Sequence, residues 1–565
     1  MRRQRRGVQL LALVFCFGLL AAACGSDKKA TGNAASGSSS SSSAAVPKGG
    51  TLTIGAEQEP DCADWVGTCG GSSWGFWMMQ VQTMPRAFDV LKDSSGTYSY
   101  KPSIVLKGEP TLETSPKQKV TYQISDQAVW NDSKPITSTD FKYTWDQVAN
   151  GTAIYDRTGY KDIESVDDSN PKVAVVTYKN TYADWKSLFG GQFGILPSHI
   201  LQGQDRDAMM KDGYTFSGGP WVIQQWAKQD SITLVPNPNY WGTKPSLDKV
   251  IFKFQADTSA EFQAFKAKEV SVVYPQPQLD AVDQIQAGIP DTQKIVSTET
   301  GNFESLWINN SKAPFDDVKV RQAVAFAIDR KALVERLFGG LGVHDPLQFI
   351  NAGINKAYEQ TDAFAKYVKD LKQVDTLLTG DGYAKGSDGI YAKGGTKLSF
   401  TVRSTAGNKR RELTEQVLQQ QLKDAGIDMQ IDNAKAGDLF GSILPQGDFQ
   451  AGIYAQVLTA LTPGNCTLFC SSNIPKSPDF SGNNWTRTSN PELDTLLATV
   501  DSNLHESART TAAKKAQTIL SDNMNTLPID PLPNVLLWSN KVVGPVGDNA
   551  ILGPFFNINE WGISA

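Results

Sequence analysis

The first fifty residues decide where this chain can fold. Four arginines, Arg2, Arg3, Arg5 and Arg6, precede a largely apolar run from Val8 to Leu20, and Ala21, Ala22 and Ala23 then lead into Cys24-Gly25-Ser26. Basic, apolar, then small is the order of a cleaved secretory signal. About a dozen apolar residues are too few to span a bilayer, which takes roughly 20 in a helix. Residues 1–23 are therefore expected to leave, and the rest to fold outside the cytoplasm. The next stretch is almost wholly Gly, Ser, Ala, Lys, Asn and Asp, with an unbroken serine run from Ser38 to Ser43. It cannot bury enough apolar surface to fold. Residues 24–49 read as a flexible tether with a reach of roughly 25–30 Å.

A cysteine directly after the small residues resembles the bacterial lipobox, whose thiol is diacylated and becomes the mature N-terminus. The match departs from the usual pattern at Ala21, where leucine is commonest, with Leu20 one place early. Two or three acyl chains would hold the protein at a membrane surface, where one alone holds weakly. The rival reading is a signal with an incidental Cys24, set against the scarcity of free thiols on exported chains.

About 515 residues remain after the tether, enough for two to four domains. With 40 % hydrophobic residues and no second long apolar stretch, this body reads as soluble. Loss of the four signal arginines takes the formal charge from −5 to −9. A mildly acidic chain without a basic block argues against nucleic acid as partner. Four cysteines stay in the body: Cys62 and Cys69 in DCADWVGTC, and Cys466 and Cys470 in NCTLFC. Local pairing, Cys62 with Cys69 and Cys466 with Cys470, suits an oxidising compartment. A zinc site is the alternative, but neither spacing is a C-x-x-C pair.

β-Branched runs at Gly50–Gly55, Lys119–Ile124, Val173–Tyr178, Ser231–Val235, Lys249–Phe254 and Lys397–Val402 are expected strands. Helical periodicity marks Ser138–Val148, Val318–Phe338, Arg410–Ala425, Pro491–Val500 and Ala508–Asn523. Gly426 supplies a helix stop, followed by the strand Ile427–Ile431. Strands and helices mix throughout, which makes the class α/β or α+β.

Several segments then match a known pattern. Trp130-Asn131-Asp132-Ser133-Lys134-Pro135-Ile136-Thr137, leading into Asp140-Phe141-Lys142-Tyr143-Thr144-Trp145, resembles the signature of the family 5 extracellular solute-binding proteins, the peptide-, nickel- and opine-binding group. Locally it is a turn before a helix capped by Thr137 or Ser138, with Asp140 near the positive end of the helix dipole. Gly219-Pro220-Trp221, Asn237-Pro238-Asn239-Tyr240-Trp241-Gly242, Trp307-Ile308-Asn309-Asn310 and Val320-Arg321-Gln322-Ala323 resemble the family's later segments, as do Ala425-Gly426-Ile427 and Asn490-Pro491-Glu492-Leu493-Asp494. The resemblance runs from about residue 50 to 545.

It implies an α/β, bilobal, periplasmic-binding-protein-like fold of type II with an extra subdomain and two hinge-linked lobes. Lobe I would comprise 50–60, 213–304 and 526–565, with an inserted subdomain at 61–212. Lobe II would be 305–525, with hinges near Phe303–Asn310 and Ser521–Pro528. Such a protein closes on its solute and docks on an ABC permease. The implied partners are a small peptide or peptide-like solute, the permease and, through its lipid anchor, the membrane. The implied protein is a monomer without cofactor, on the extracytoplasmic side of the cell membrane. A surface sensor of the same fold, signalling without transport, is the alternative.

Peptide-binding relatives carry a strand resembling D-F-D-x-x-x-Y-G-W-x-x-D, whose last aspartate takes the ligand's α-ammonium group. Here the stretch runs from Asp448 to Thr459: Phe449 and Tyr454 keep register, but Gln456 replaces the tryptophan and Thr459 the aspartate. A threonine hydroxyl cannot replace a buried carboxylate opposite a cation. Aromatic residues are the other candidates. Trp74 and Trp77, with Trp65, Phe76, Met78 and Met79, cluster beside the Cys62/Cys69 loop and can stack on rings or cations; filling the core of the first lobe is the equal alternative. Tyr155 and Tyr160 match a tyrosine-bearing loop of relatives; ordinary surface tyrosines are the alternative, of at least equal weight. The candidate ligand-binding set is thus Trp74, Trp77, Tyr155, Tyr454, Gln456 and Thr459.

Enzyme readings are thin. Gly71-Ser72-Ser73-Trp74-Gly75 fits G-x-S-x-G, but Cys69-Gly70 stands where that elbow needs a strand. Only His199, His344 and His505 could complete a triad, and so few histidines make a nickel-type role weak. There is no H-E-x-x-H, P-loop or dinucleotide fingerprint.

Overall fold

The computed structural model describes residues 46–191, 193–275, 277–298, 301–350, 354–457, 461–463 and 465–564. The expected signal, Cys24, the tether up to residue 45 and Thr459 lie outside them. The last four residues assigned to the tether belong instead to the described body. The Gly49 N–H donates to the Ser246 carbonyl at 2.7 Å, and the Gly50 N–H to Asp248 Oδ2 at 2.9 Å.

Two mixed sheets organise this body. The first has seven strands, in the order Thr292–Ser297, Asn534–Ser539, Val272–Val273, Thr51–Ala56, Lys249–Phe254, Ser231–Pro236 and Trp221–Ala227. Thr51–Ala56 runs parallel to both of its neighbours. Its side chains Leu52 and Ile54 are fully buried, as suits a strand flanked on both sides. A four-stranded antiparallel sheet, Thr111–Glu113, Lys119–Gln123, Val173–Tyr178 and Ile163–Asn170, joins it through one continuous core that includes Tyr122, Trp130 and Phe141.

The second sheet has five strands, in the order Asp428–Ile431, Ser399–Arg403, Ala451–Gln456, Phe303–Ile308 and Thr526–Pro531. Its own core draws on helices Val318–Ala327, Arg330–Phe338 and Lys409–Asp424. Each sheet with its helices forms a lobe, which gives the bilobal α/β fold. The chain crosses between the lobes after Ser297 and again between Pro531 and Asn534. Phe303, Glu304 and residues 526–531, expected in the first lobe, pair instead inside the five-stranded sheet.

The expected helix Val318–Phe338 is two helices. Ile328 is extended, with ψ 125°, and Asp329 caps the second helix by accepting from the Ala332 N–H at 2.9 Å. An N-cap aspartate competes with the backbone of a continuous helix and so favours a restart. Cys62 is bonded to Cys69 and Cys466 to Cys470. Among the described residues no helix is long and apolar enough to cross a membrane.

Candidate functional site

The two lobes face each other across a cleft, and each presents a helical run with a widened turn. On the first lobe, residues 73–83 are helical, with Ser72 at the N-cap accepting from the Gly75 N–H at 3.2 Å; the stretch Phe76–Gln80 is π-wound. On the second lobe, residues 436–446 are helical, and Leu439–Ile443 is π-wound. A π turn re-aims the side chains that leave it and recurs at functional sites. Trp74 and Trp77 project from the first run and Phe440 from the second.

Trp74, Trp77 and Tyr274 meet edge to face. Their ring centroids lie 5.6 Å apart for Trp74–Trp77, 5.6 Å for Trp77–Tyr274 and 6.3 Å for Trp74–Tyr274, with planes inclined at 64°, 77° and 75°. The Trp74 Nε1–H donates to Glu57 Oε1 at 3.1 Å. Gly553 permits the close seat of Trp77: a Cβ there would lie 2.2 Å from the ring, and its φ is +79°. Across the cleft, Tyr454 stacks on Trp307 at 5.2 Å and meets Phe440 and Trp485 at 5.7 and 5.9 Å. Burial drives the Tyr454 hydroxyl well above its ordinary pKa, so it remains a neutral phenol.

These walls enclose a chamber of about 150 Å³, which meets a second of about 750 Å³ at Glu57, Gln58 and Arg411. Glu57 follows the carboxyl end of Thr51–Ala56, and Gln255 and Ala256 follow that of Lys249–Phe254. The cleft thus lies where parallel strands end, as in other open α/β sheets. At its base, Arg411 donates from Nε to Glu304 Oε1 at 2.6 Å and from Nη1 to Thr405 Oγ1 at 2.7 Å; Arg410 also bonds Glu304. Burial alone would raise Glu304, but the two guanidiniums outweigh it and hold the carboxyl at about 2. Asp530 stands opposite Glu304 in register. Burial, reinforced by Glu304, pushes it up to about 8.

The rim is shut. The Ala153 N–H donates to Asp479 Oδ1 at 2.6 Å, Thr467 Oγ1 to Asp156 Oδ2 at 3.0 Å, and Asn483 Nδ2 to the Tyr155 hydroxyl at 2.9 Å.

Trp74, Trp77, Tyr155, Tyr454 and Gln456 all line the smaller chamber. Trp74 and Trp77 are only 2 % and 4 % exposed and belong to the first lobe's core, so the two alternatives for them merge. Tyr160 is buried away from the cleft, where its hydroxyl accepts from the Phe189 N–H at 2.7 Å. Sequence reasoning missed Glu57, Tyr274, Arg411, Phe440, Asn483 and Trp485. Only Glu57 carried a signal, as a charged residue just past a buried strand. His199 is bonded to Asp132 and His344 to Glu335, and no histidine lines either chamber.

Residues 105–473 match the model of the bacterial extracellular solute-binding proteins, family 5 (middle). The chain is 24 % identical over 504 residues to the oligopeptide-binding protein AppA of Bacillus subtilis, covering 88 % of each. The structure of that protein, in complex with a nonapeptide, superposes with a TM-score of 0.81 at 20 % identity, covering 92 % of this chain and all of the other. NikZ from Campylobacter jejuni, in complex with Ni(L-His), gives a TM-score of 0.77 at 18 % identity over 91 % of this chain and 99 % of that one.

Proposed function

The chain belongs to the bacterial extracellular solute-binding proteins of family 5, non-enzymatic components of transport, and from that premise we propose that it is the lipid-anchored, extracytoplasmic receptor of an ABC importer, capturing an oligopeptide or peptide-like solute. The observation that carries this reading is a cleft walled by both lobes, with its rim bonded from one lobe to the other. A site divided between two bodies is complete only when they close, which couples solute capture to a change of shape that a permease can recognise. Both partners named for the relatives, a nonapeptide and a metal–histidine complex, are amino-acid-derived solutes. That common chemistry supports a peptide-like cargo. Residues 50–297 and 532–565 form the first lobe in this reading, with the insert at 61–212, and residues 303–531 the second. The tether and the acyl groups on Cys24 confine the receptor beside its permease and raise their effective concentration.

Mass spectrometry of the small molecule released from gently denatured, freshly purified protein tests the cargo. A peptide or amino-acid derivative is expected; an unrelated solute, such as a sugar, overturns it. Cys24→Ser tests the anchor: the protein should move from the membrane fraction to the soluble fraction.

A further inference from the structure

The hydrogen bonds that shut the rim share one support on the second lobe. Thr467, which donates to Asp156, lies inside the Cys466–Cys470 loop. Asp479 and Asn483 lie on the loop of residues 473–484, as does Ser481, whose Oγ accepts from the Ile154 N–H at 3.1 Å. That loop is closed at its base, where the Asn484 N–H donates to the Asn473 carbonyl at 2.9 Å. Compact surface loops with joined ends are frequently functional. The base hangs from the disulfide: Asn473 Nδ2 donates to the Cys466 carbonyl at 2.9 Å, and Asn484 Nδ2 to the Cys470 carbonyl at 3.0 Å. Cys466 and Cys470 are joined across the single helical turn Asn465–Phe469. So short a helix does not hold itself. Phe469, fully buried and stacked on Trp307 at 6.3 Å, pins its far end, and the disulfide carries that fixation back to Cys466 and Thr467. The facing lip rests on the other cystine loop, where the Tyr155 N–H donates to the Val66 carbonyl at 3.1 Å. That loop has further fastenings: Asp64 pairs with Arg206, and the Trp65 indole donates to the Tyr214 hydroxyl at 3.0 Å. The second lobe's lip therefore leans on its disulfide more than the first lobe's does.

We propose that the Cys466–Cys470 disulfide is a positioning element for closure: it fixes the two carbonyls that carry the rim loop 473–484, and so sets how often the closed lobes part. Its loss frees the rim without dismantling either lobe. This rests on the receptor reading above, and the two fail separately: the solute released from the native protein tests the reading, and rim opening tests the latch.

Hydrogen–deuterium exchange of the mature protein, as purified and at constant pH, reads rim opening at the Ala153 and Ile154 amides, which both donate across the lobes. Cys466→Ala with Cys470→Ala should speed exchange at these amides by about tenfold or more. Cys62→Ala with Cys69→Ala is the control. It too frees one short loop of the unfolded chain and lowers overall stability by a similar amount, yet rim exchange should rise several-fold less. A merely structural staple would move the rim amides alike in both cysteine pairs. Asn473→Ala keeps both disulfides and removes one fastening of the loop, so exchange about two- to tenfold faster is expected, the worth of one hydrogen bond. This variant decides the matter if the second-lobe cysteine pair cannot be replaced without unfolding. Unchanged rim exchange in the second-lobe pair or in Asn473→Ala, or an equal rise in both cysteine pairs, would overturn the proposal. So would rim amides that already exchange freely in the wild type.

Discussion

The buried charges at the floor of the cleft have opposite assignments, and replacing either carboxylate should expose the difference. Glu304 and Asp530 are each 1 % exposed and sit opposite one another on the two strands that end at the lobe crossings. Glu304, held at about 2 by Arg410 and Arg411, carries the charge, while Asp530, raised to about 8 by burial and by Glu304, keeps its proton. An unfolded aspartate titrates near 3.9. Asp530 is raised on folding, so its contribution to stability is fully present below about pH 4 and is lost as the pH rises through 8. The loss is about 1.4 kcal/mol per pH unit, or about 4 kcal/mol between pH 5 and pH 8. Asp530→Asn removes this titration. Urea unfolding at pH 5, 6, 7 and 8 should show the variant gaining on the wild type by about 4 kcal/mol across that window. Glu304 does not titrate there, so its pair with the arginines adds no slope. Parallel stability curves for wild type and Asp530→Asn would refute the assignment. The coupling can be read separately. Glu304→Gln leaves two buried guanidiniums without their anion, a loss of about 3–5 kcal/mol. Asp530 can then release its proton and take over the pairing, so the double variant should be less stable than the two single changes sum to.

Three further changes separate closure from stability. Gly407→Ala places a Cβ 2.7 Å from the Ala256 carbonyl of the facing lobe, at a φ of +91°, so solute affinity should fall at least tenfold by calorimetry, beside about 1–3 kcal/mol of backbone strain. Tyr155→Phe removes the acceptor of the Asn483 rim bond, worth about 0.5–1.5 kcal/mol, and stopped-flow tryptophan fluorescence should show solute leaving about two- to tenfold faster. Asp64→Asn breaks a buried, bidentate pair with Arg206, neither residue of which lines a chamber; about 3–5 kcal/mol of unfolding free energy should be lost, read by urea unfolding.

The motifs that made the chain recognisable hold the scaffold together. Trp130 donates to Asp140, whose other oxygen accepts from the Ser198 N–H and hydroxyl. Asn131 is tied to the backbone of Thr215 and Ser217. Asn309, Asn310, Arg321 and Arg330 donate to backbone carbonyls within the second lobe. None of these residues lines either chamber. Local bonding of this kind leaves contiguous, recognisable patterns, which is why strands, helices and the bilobal class were legible. The restart at Asp329 was also readable from its cap, but the strong apolar period on both sides hid it. The lobe crossings were misplaced by several residues because Thr526–Pro531 has the same apolar character in either sheet, and only its pairing with Phe303–Ile308 decides the matter.

The cleft had no such signature, because its walls come from eight or more stretches that meet only after both lobes form. Trp74, Trp77 and Tyr454 stood out as large aromatics, yet their types could not separate core from site. The structure removes that choice: each ring has one side in its lobe's core and another on the chamber wall. This arrangement has an energetic consequence. A ring locked by core packing loses little rotamer freedom when solute arrives, whereas an exposed aromatic would forfeit about 0.5–1.5 kcal/mol on being immobilised. The indole–carboxylate bond extends the same economy to Glu57, one of whose oxygens is held in place by Trp74. The wall on each lobe is therefore preorganised, and the mobile part of the site is reduced to the approach of one rigid wall to the other. Selectivity then depends on what the closed chamber tolerates: a group around which the two walls cannot meet opposes closure itself and not merely one contact. Such a solute should be rejected mainly through faster release, since the open cleft admits it and only the closed one discriminates.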